Sequence, residues 1–229
     1  MESSFGRLFG VIVSPRKTFE SIAEKPTWAL ALVVLMLVGT VAVWFSISKI
    51  DPASLARSVA EQSNQELPPQ MTPERLHTMT MVSSVVFALV FGPLIYLAAA
   101  GLFLVASRLF GSEIDFRRAF SVTLHGLVPF GVAALLGIPV ALAKESVTLE
   151  EVQGGSILAS NLGAFASPDL GKVSQALLSS VDLFSIWCIV LLVIGFQTVG
   201  KLSRGSATAS VVTVWMLGLL AKVGMAALR

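Results

Sequence analysis

Charged residues are scarce in this chain: they make up 13% of its 229 residues, whereas hydrophobic residues make up 55%. A soluble globular domain typically has about 25% charged and about 45–50% apolar residues. The mean hydropathy is +0.82. This balance excludes a disordered chain, a fibrous repeat, a nucleic-acid binder with a basic face and an ordinary soluble enzyme. The composition instead predicts an integral membrane protein.

Cysteine and the common catalytic motifs are also scarce or absent. The single cysteine, Cys188, excludes an intrachain disulfide and a cysteine metal cluster. The chain has no G-x-S-x-G nucleophile elbow and no G-x-x-x-x-G-K-[ST] phosphate loop. No H-E-x-x-H motif accompanies His125, and we place His77 at the opposite membrane face. We therefore expect a protein without catalytic activity, metal or cofactor.

Five apolar stretches predict five transmembrane helices, because a helix needs about 20 mostly apolar residues to cross about 30 Å of hydrocarbon. These stretches are about 27–47, 79–107, 119–143, 183–200 and 207–228. The predicted fold class is an all-α membrane bundle. Residues 1–26 form a cytoplasmic arm, and residues 27–229 form one membrane domain with outer loops 48–78 and 144–182. We expect the first span to remain as an anchor, because no A-x-A cleavage site follows it.

Basic residues predict the orientation, since cytoplasmic loops carry an excess of Lys and Arg. With the N-terminus inside, nine basic residues lie inside and five lie in the longer outer loops. The nine are Arg7, Arg16, Lys17, Lys25, Arg108, Arg117, Arg118, Lys201 and Arg204. Acidic residues show the opposite bias, with five inside and nine outside. We therefore predict an N-in, C-out topology.

The N-terminal arm has the pattern of two short interfacial helices. Phe5, Leu8, Phe9 and Ile12 recur at helical spacing and make one apolar face. Ser14 followed by proline is typical of the start of a second helix. We expect the basic residues of the arm to face anionic lipid headgroups; these are Arg7, Arg16, Lys17 and Lys25. The alternative is that the arm docks a soluble partner.

A histidine and three prolines inside the spans are candidate sites, because polar groups in hydrocarbon are often functional. His125 is either a proton relay or ligand contact, or a neutral imidazole satisfied by a neighbouring helix. Pro93 is expected to break the second span, and Pro129 and Pro139 to divide the third. Transporters use such broken helices at substrate sites. The alternative is a packing kink next to small residues.

Two further polar residues and one loop segment each have more than one predicted role. Asp182 is expected to cap the fourth span, and Gln197 to form an interhelical hydrogen bond, although both are also candidate ligand contacts. Residues 154–167 are either a lid or a shallow re-entrant segment. Residues 167–169 resemble a helix start.

The chain resembles bacterial members of the Yip family, named after Ypt/Rab-interacting proteins. Residues 14–22 (SPRKTFESI) followed by 25–28 (KPTW) resemble the opening of that family. Further likenesses are residues 111–112 (GS), 116–119 (FRRA), Pro129, the 182–184 motif (DLF) with Trp187, and residues 201–203 (KLS). The resemblance covers nearly the whole chain and implies a five-span bundle with a cytoplasmic N-terminus.

The chain also departs from the eukaryotic relatives, which contact Rab-type GTPases and one another. It lacks a long soluble N-terminal extension and a D-L-Y-G-P-style motif, with Asp115 and Phe116 at the corresponding place. These departures favour a multi-pass protein of a bacterial inner membrane over a Rab partner.

These observations predict a non-catalytic adaptor or accessory subunit of a membrane transport or trafficking system. Its partners would be the lipid bilayer and other membrane proteins or its own copies, and we expect no nucleic acid. The candidate docking residues are Arg16, Lys17, Arg117 and Arg118. The alternative function is a transporter or lipid-handling channel that uses the second and third spans, with His125 and Pro129 as relay or ligand contacts.

Overall fold

The computed structural model describes residues 3–167 and 170–228, and these residues form helices and no strand. The described helices are α1 (Ser4–Val13), α2 (Pro15–Glu24), α3 (Ala29–Ser48), α4 (Pro52–Ser63), α5 (Pro73–Leu109), α6 (Phe116–Gly126), α7 (Val128–Ala143), α8 (Leu149–Gly154), α9 (Lys172–Leu178), α10 (Leu183–Thr198) and α11 (Arg204–Ala227). One short 3-10 turn spans Leu162–Phe165. The predicted all-α class is confirmed.

Among the described residues, four apolar segments are long enough to cross a bilayer: α3, α5, the α6–α7 pair and α11. Helix α10 has 16 residues, which corresponds to about 24 Å at a rise of about 1.5 Å per residue. It is therefore shorter than the hydrocarbon thickness of about 30 Å. The structure supports a membrane bundle, and five crossings with an N-in orientation remain a prediction.

The segments alternate between two ends of the bundle, which we call the inner and the outer end. At the inner end, which contains residues 4–28, 107–118 and 198–204, the Ser112 hydroxyl donates to the Gly200 carbonyl at 2.7 Å. At the outer end, which contains residues 47–77 and 144–183, the Val147 N–H donates to the Lys49 carbonyl at 2.9 Å. Helix α10 runs between these ends, since it begins after Asp182 and its last residues lead to Gly200.

Side-chain caps explain where many helices begin. A capping oxygen accepts an otherwise unpaired N–H of the first turn, which stabilises a helix by about 1 kcal/mol. The caps whose side chains accept such a bond are Ser3, Asp51, Thr72, Asp115, Thr148, Asp182 and Ser203. Helix α2 begins at Pro15 as predicted, although the Ser14 side chain makes no capping hydrogen bond.

The two N-terminal helices are part of the core. Val11 of α1 and Phe19 and Ile22 of α2 are fully buried and belong to the same apolar cluster as Val122 and Phe196. The pattern correctly predicted two helices, while the contact of their apolar face with the membrane interface stays a prediction. Leu8 is buried against the bundle, whereas Phe5 and Phe9 remain about 60% exposed and contact each other with ring centroids 5.4 Å apart.

The expected break at Pro93 is wrong. Helix α5 is 37 residues long and continues through Pro93 without a break. A Cβ atom on the preceding Gly92 would lie 2.7 Å from the Sδ atom of Met36 on α3, so this point is a close helix contact of the kind that small residues permit. The Gly92–Pro93 pair thus supports the packing alternative for the second span.

The third span is divided once, at Leu127 between α6 and α7. Pro129 lies in the first turn of α7, where its missing N–H costs no helical hydrogen bond. Pro139 lies inside α7 and does not end it. The prediction of a division at Pro129 is therefore confirmed, and that of a second division at Pro139 is wrong.

Both outer loops contain helical structure. The 48–78 loop holds α4 and the first turns of α5, and the 144–182 loop holds α8, the 3-10 turn and α9. The predicted helix start at 167–169 includes Pro168 and Asp169, which lie outside the described residues, and the described helix begins at Lys172. The 154–167 segment lies at the outer end, where the Leu162 N–H donates to the Val181 carbonyl at 3.1 Å.

The outer faces of the long helices are strongly apolar. Large exposed apolar side chains on α5 are Met79, Val82, Val86, Phe87, Leu89, Val90, Phe91, Leu94, Ile95, Leu97, Leu102, Val105 and Leu109. A soluble monomer rarely exposes so large a contiguous apolar area. A lipid bilayer is therefore the environment of this helix.

Candidate functional sites

Arg7 is the most heavily hydrogen-bonded side chain at the inner end, and it is only 3% exposed. Its guanidinium donates to the Ser21 hydroxyl at 2.7 Å, to the Lys25 carbonyl at 2.7 Å and to the Thr27 hydroxyl at 2.6 Å. It also donates to the Ser21 carbonyl at 3.0 Å. The expectation that Arg7 faces lipid headgroups is therefore wrong.

These bonds join three consecutive parts of the chain. Arg7 belongs to α1, Ser21 to α2, and Lys25 and Thr27 to the connection that leads into α3. A buried guanidinium is tolerated because its donors are satisfied in a fixed fork geometry. The sequence contains a signal for this role: Arg7 and the fully buried Val11 are four residues apart and so share one helix face.

The predicted docking residues on α2 are exposed. The Arg16 side chain is 82% exposed, and its Nε lies 4.0 Å from a carboxylate oxygen of Glu20. Lys17 is also exposed. Helix α2 thus buries Phe19 and Ile22 against the bundle and presents these cations on its opposite side.

The inner loop adds Arg117 and Arg118 beside α2. Arg117 is exposed, while Arg118 is half-buried and its Nε donates to the Ala23 carbonyl at the end of α2 at 3.3 Å. Arg118 also pairs with the Asp115 carboxylate. Partial burial alone would raise the pKa of Asp115, but the hydrogen bonds from Arg118 outweigh it and hold this pKa below its ordinary value. The structure thus places Arg118 at the end of α2, while Arg16 and Lys17 lie near the start of that helix. We call the four predicted cations of the inner end the basic inner face: Arg16, Lys17, Arg117 and Arg118.

His125 is 2% exposed and its ring Nδ1 lies 2.8 Å from the Ser121 carbonyl, one turn earlier in α6. Because a carbonyl only accepts, Nδ1 carries the proton of this bond. The expected partner on a neighbouring helix is wrong, since the partner is in the same helix. His77 lies at the outer end, where its Nε2 donates to the Ile47 carbonyl at 2.9 Å. Among the described residues, no three His, Cys, Asp or Glu side chains converge as metal ligands.

Asp182 has the capping role that its position predicted. Its carboxylate accepts from the Ser185 N–H at 2.9 Å and from the Ser160 hydroxyl. It thereby joins the 154–167 segment to α10. Gln197 is half-buried, and in the part of the chain that the structure describes its side chain has no hydrogen-bond partner. The expected interhelical bond of Gln197 is therefore wrong.

We expect Asp182→Ala to lower the free energy of unfolding by about 1 kcal/mol, as for the loss of a helix cap. Asp182→Asn should lower it less, because the amide oxygen still accepts from the Ser185 N–H. Thermal unfolding of the detergent-solubilised protein measures both changes. Equal losses for the two variants would show that the carboxylate charge, rather than the cap, matters.

Comparison with known proteins agrees with the helical membrane architecture. The sequence model of a protein family described as the Yip1 domain matches residues 9–225. A protein of Bacillus subtilis (strain 168) named "Membrane protein YknW" is 26% identical over 209 residues. The aligned region covers 91% of this chain and 84% of that relative. No solved structure gives a significant match.

Proposed function

The chain belongs to the Yip1 domain family, and from this premise we propose that it is a non-catalytic accessory protein of a bacterial inner membrane. It binds an acidic segment of a partner membrane protein through its basic inner face. The predicted N-in, C-out topology, which is part of this proposal, places that face in the cytoplasm.

The observation that carries the proposal is the rigid attachment of the basic inner face. Arg7 fixes α1, α2 and the start of α3 to one another, and Phe19 and Ile22 fix α2 to the core. Because the helix that bears Arg16 and Lys17 is already fixed, binding needs to order only their side chains and not the backbone, which favours affinity. Their charge favours a partner segment rich in Asp and Glu.

The interior of the bundle supports a role without catalysis. No Asp or Glu lies in the middle of any of the five apolar segments. The buried imidazole of His125 is hydrogen-bonded within its own helix. Catalytic sites and proton pathways commonly need convergent titratable groups near water.

The alternative of a transporter has less support from the geometry. It depended on two broken spans, but α5 continues through Pro93. The division at Leu127 remains, and it is flanked by a tight contact: a Cβ on Gly126 would lie 2.5 Å from the Leu192 side chain. The Gly126 side of the break is therefore tightly packed, which is more consistent with a fixed kink than with a substrate path through the break.

The experiment is site-specific photo-crosslinking in native membranes, with the crosslinking amino acid at Glu113, which is exposed beside the basic inner face. We expect one crosslinked partner band, and we expect Lys17→Glu with Arg117→Glu to reduce it at least severalfold, because two attractive charge contacts become repulsive. Mass spectrometry of the band identifies an acidic cytoplasmic segment. A crosslinked band at twice the mass of this chain would indicate instead that the partner is a second copy of the chain.

The matched control is Arg57→Glu with Arg75→Glu, because both are exposed cations at the outer end. This control should leave the band unchanged. A C-terminal reporter checks that neither pair of substitutions alters the topology. An unchanged band in the inner-face variant with intact topology would contradict the proposal.

A further inference from the structure

A cavity of about 360 Å³ lies between α5, α10 and α11, next to the α6–α7 division. Its apolar part includes the partly exposed Leu127, Val214 and Leu219 and the buried Phe103 and Leu192. Its polar part lies towards the outer end and is formed by Ser179, Ser180 and Lys222. The volume falls within the range of about 300–1,000 Å³ that is usual for small-ligand sites.

The cavity extends over about one leaflet of a bilayer. Along α11 its lining runs from Val214 to Lys222, and eight residues of helix correspond to about 12 Å. Half of the hydrocarbon core is about 15 Å thick. Lys222 is 18 residues after the first residue of α11, or about 27 Å from it. The polar part therefore lies near one membrane surface, and the apolar part reaches the middle of the bundle.

Lys222 is turned towards the bundle. It is half-buried, and its Nζ donates to the Ser179 hydroxyl at 2.9 Å. Lys222 forms no ion pair with the Asp182 carboxylate, since the ion pairs of the described residues do not include the two. An ammonium has three N–H donors, and Ser179 accepts one of them among the described residues. Lys222 therefore has donors available at the polar end of the cavity.

We propose that this cavity binds one acidic phospholipid of the leaflet at the outer end. Lys222 and the neighbouring serines bind the headgroup phosphate, and one acyl chain lies along Leu127, Val214 and Leu219, which are partly exposed in the cavity. The charge of Lys222 selects an anionic headgroup, and the apolar depth of about one leaflet selects an acyl chain rather than a compact polar solute. This site lies at the opposite end from the basic inner face, so it does not depend on the proposed partner binding.

Two glycines of α11 offer a matched pair of variants. Gly218 lines the cavity, whereas Gly224 does not. A Cβ atom at either position would meet nothing within 4 Å, so both sites accept a larger side chain without a clash at that atom. Gly218→Leu fills part of the cavity, while Gly224→Leu adds the same side chain elsewhere on the helix.

The test is native mass spectrometry of the full chain in detergent, titrated with phosphatidylglycerol, phosphatidylcholine or palmitate. We expect one retained phosphatidylglycerol in preference to phosphatidylcholine. Lys222→Gln should weaken retention about tenfold, as for the loss of a charge-assisted hydrogen bond. Gly218→Leu should also weaken it, and Gly224→Leu should leave it unchanged.

Two results would overturn the inference. Equal retention of phosphatidylglycerol by the wild-type chain, Lys222→Gln and Gly218→Leu would show that the lipid binds elsewhere. Retention of palmitate without phosphatidylglycerol would show that the site takes a fatty acid and not a membrane phospholipid.

Discussion

Arg7→Ala is expected to release α1 and α2 from the bundle and to lower the free energy of unfolding by about 3 kcal/mol. The substitution removes every hydrogen bond of the guanidinium, including those to the Thr27 hydroxyl and the Lys25 carbonyl. Arg7 is buried, so water cannot fully replace these bonds without opening the contact between α1 and α2.

Thermal unfolding in detergent measures the stability change, and limited digestion with trypsin measures the release. Arg16 and Lys17 are trypsin sites within α2, and a helix packed on the bundle resists cleavage. We expect faster cleavage after Arg16 or Lys17 in Arg7→Ala than in the wild-type chain. Local opening of a helix exposes its backbone to proteases.

Arg7→Lys separates the charge from the geometry. Lysine keeps the positive charge but cannot donate to several acceptors from one planar fork, so its stability should lie between those of wild type and Arg7→Ala. Glu20→Ala, at an exposed side chain of α2, should have little effect. Wild-type stability and cleavage in Arg7→Ala would contradict the structural role of Arg7.

Hydropathy and capping patterns predicted most of the membrane bundle. The first predicted span, 27–47, corresponds to α3 (Ala29–Ser48), and the fifth, 207–228, corresponds to α11 (Arg204–Ala227). These agree because apolar length and helix caps are local properties of the sequence. The capping role of Asp182 was predictable for the same reason.

The errors concern residues whose role depends on distant parts of the chain. Arg7 resembled a lipid-facing cation, but its acceptors lie 14 to 20 residues further on. Pro93 resembled a helix break, but α5 remains continuous where Gly92 packs closely on Met36. Periodicity does not identify such tertiary partners, because it records only which side of a helix a residue occupies.

The residues of one candidate site could be predicted from the sequence, whereas those of the other could not. The four residues of the basic inner face were selected from their charge, and the structure adds the contact of Arg118 with Ala23 that brings the loop to α2. The cavity between α5, α10 and α11 was not predicted. Its lining comes from helices that are far apart in the sequence and from the α6–α7 division. The bond of Lys222 to Ser179 was not predicted either, because it depends on the fold of the 144–182 loop.

Gly195→Ala is expected to lower the free energy of unfolding, although it adds only one methyl group. A Cβ atom at this position would lie 2.6 Å from Cγ1 of Val122 and 3.0 Å from the ring of Phe19. Both neighbours are buried, and a β-branched valine has few rotamers to which it can move. Overpacking of a core in this way costs about 1–3 kcal/mol.

The control is Gly218→Ala on α11, because a Cβ there would meet nothing within 4 Å. Alanine is favoured over glycine inside a helix by about 1 kcal/mol, so the control should be neutral or stabilising. The two variants make the same chemical change within helices, but Gly195→Ala should lower the thermal midpoint, whereas Gly218→Ala should leave it unchanged or raise it. Equal shifts would mean that α10 does not pack against α2 and α6 through Gly195. Because Phe19 belongs to α2, the disturbed packing in Gly195→Ala should also accelerate trypsin cleavage at Arg16. This result would show that the packing of the bundle holds α2 and its exposed cations in position.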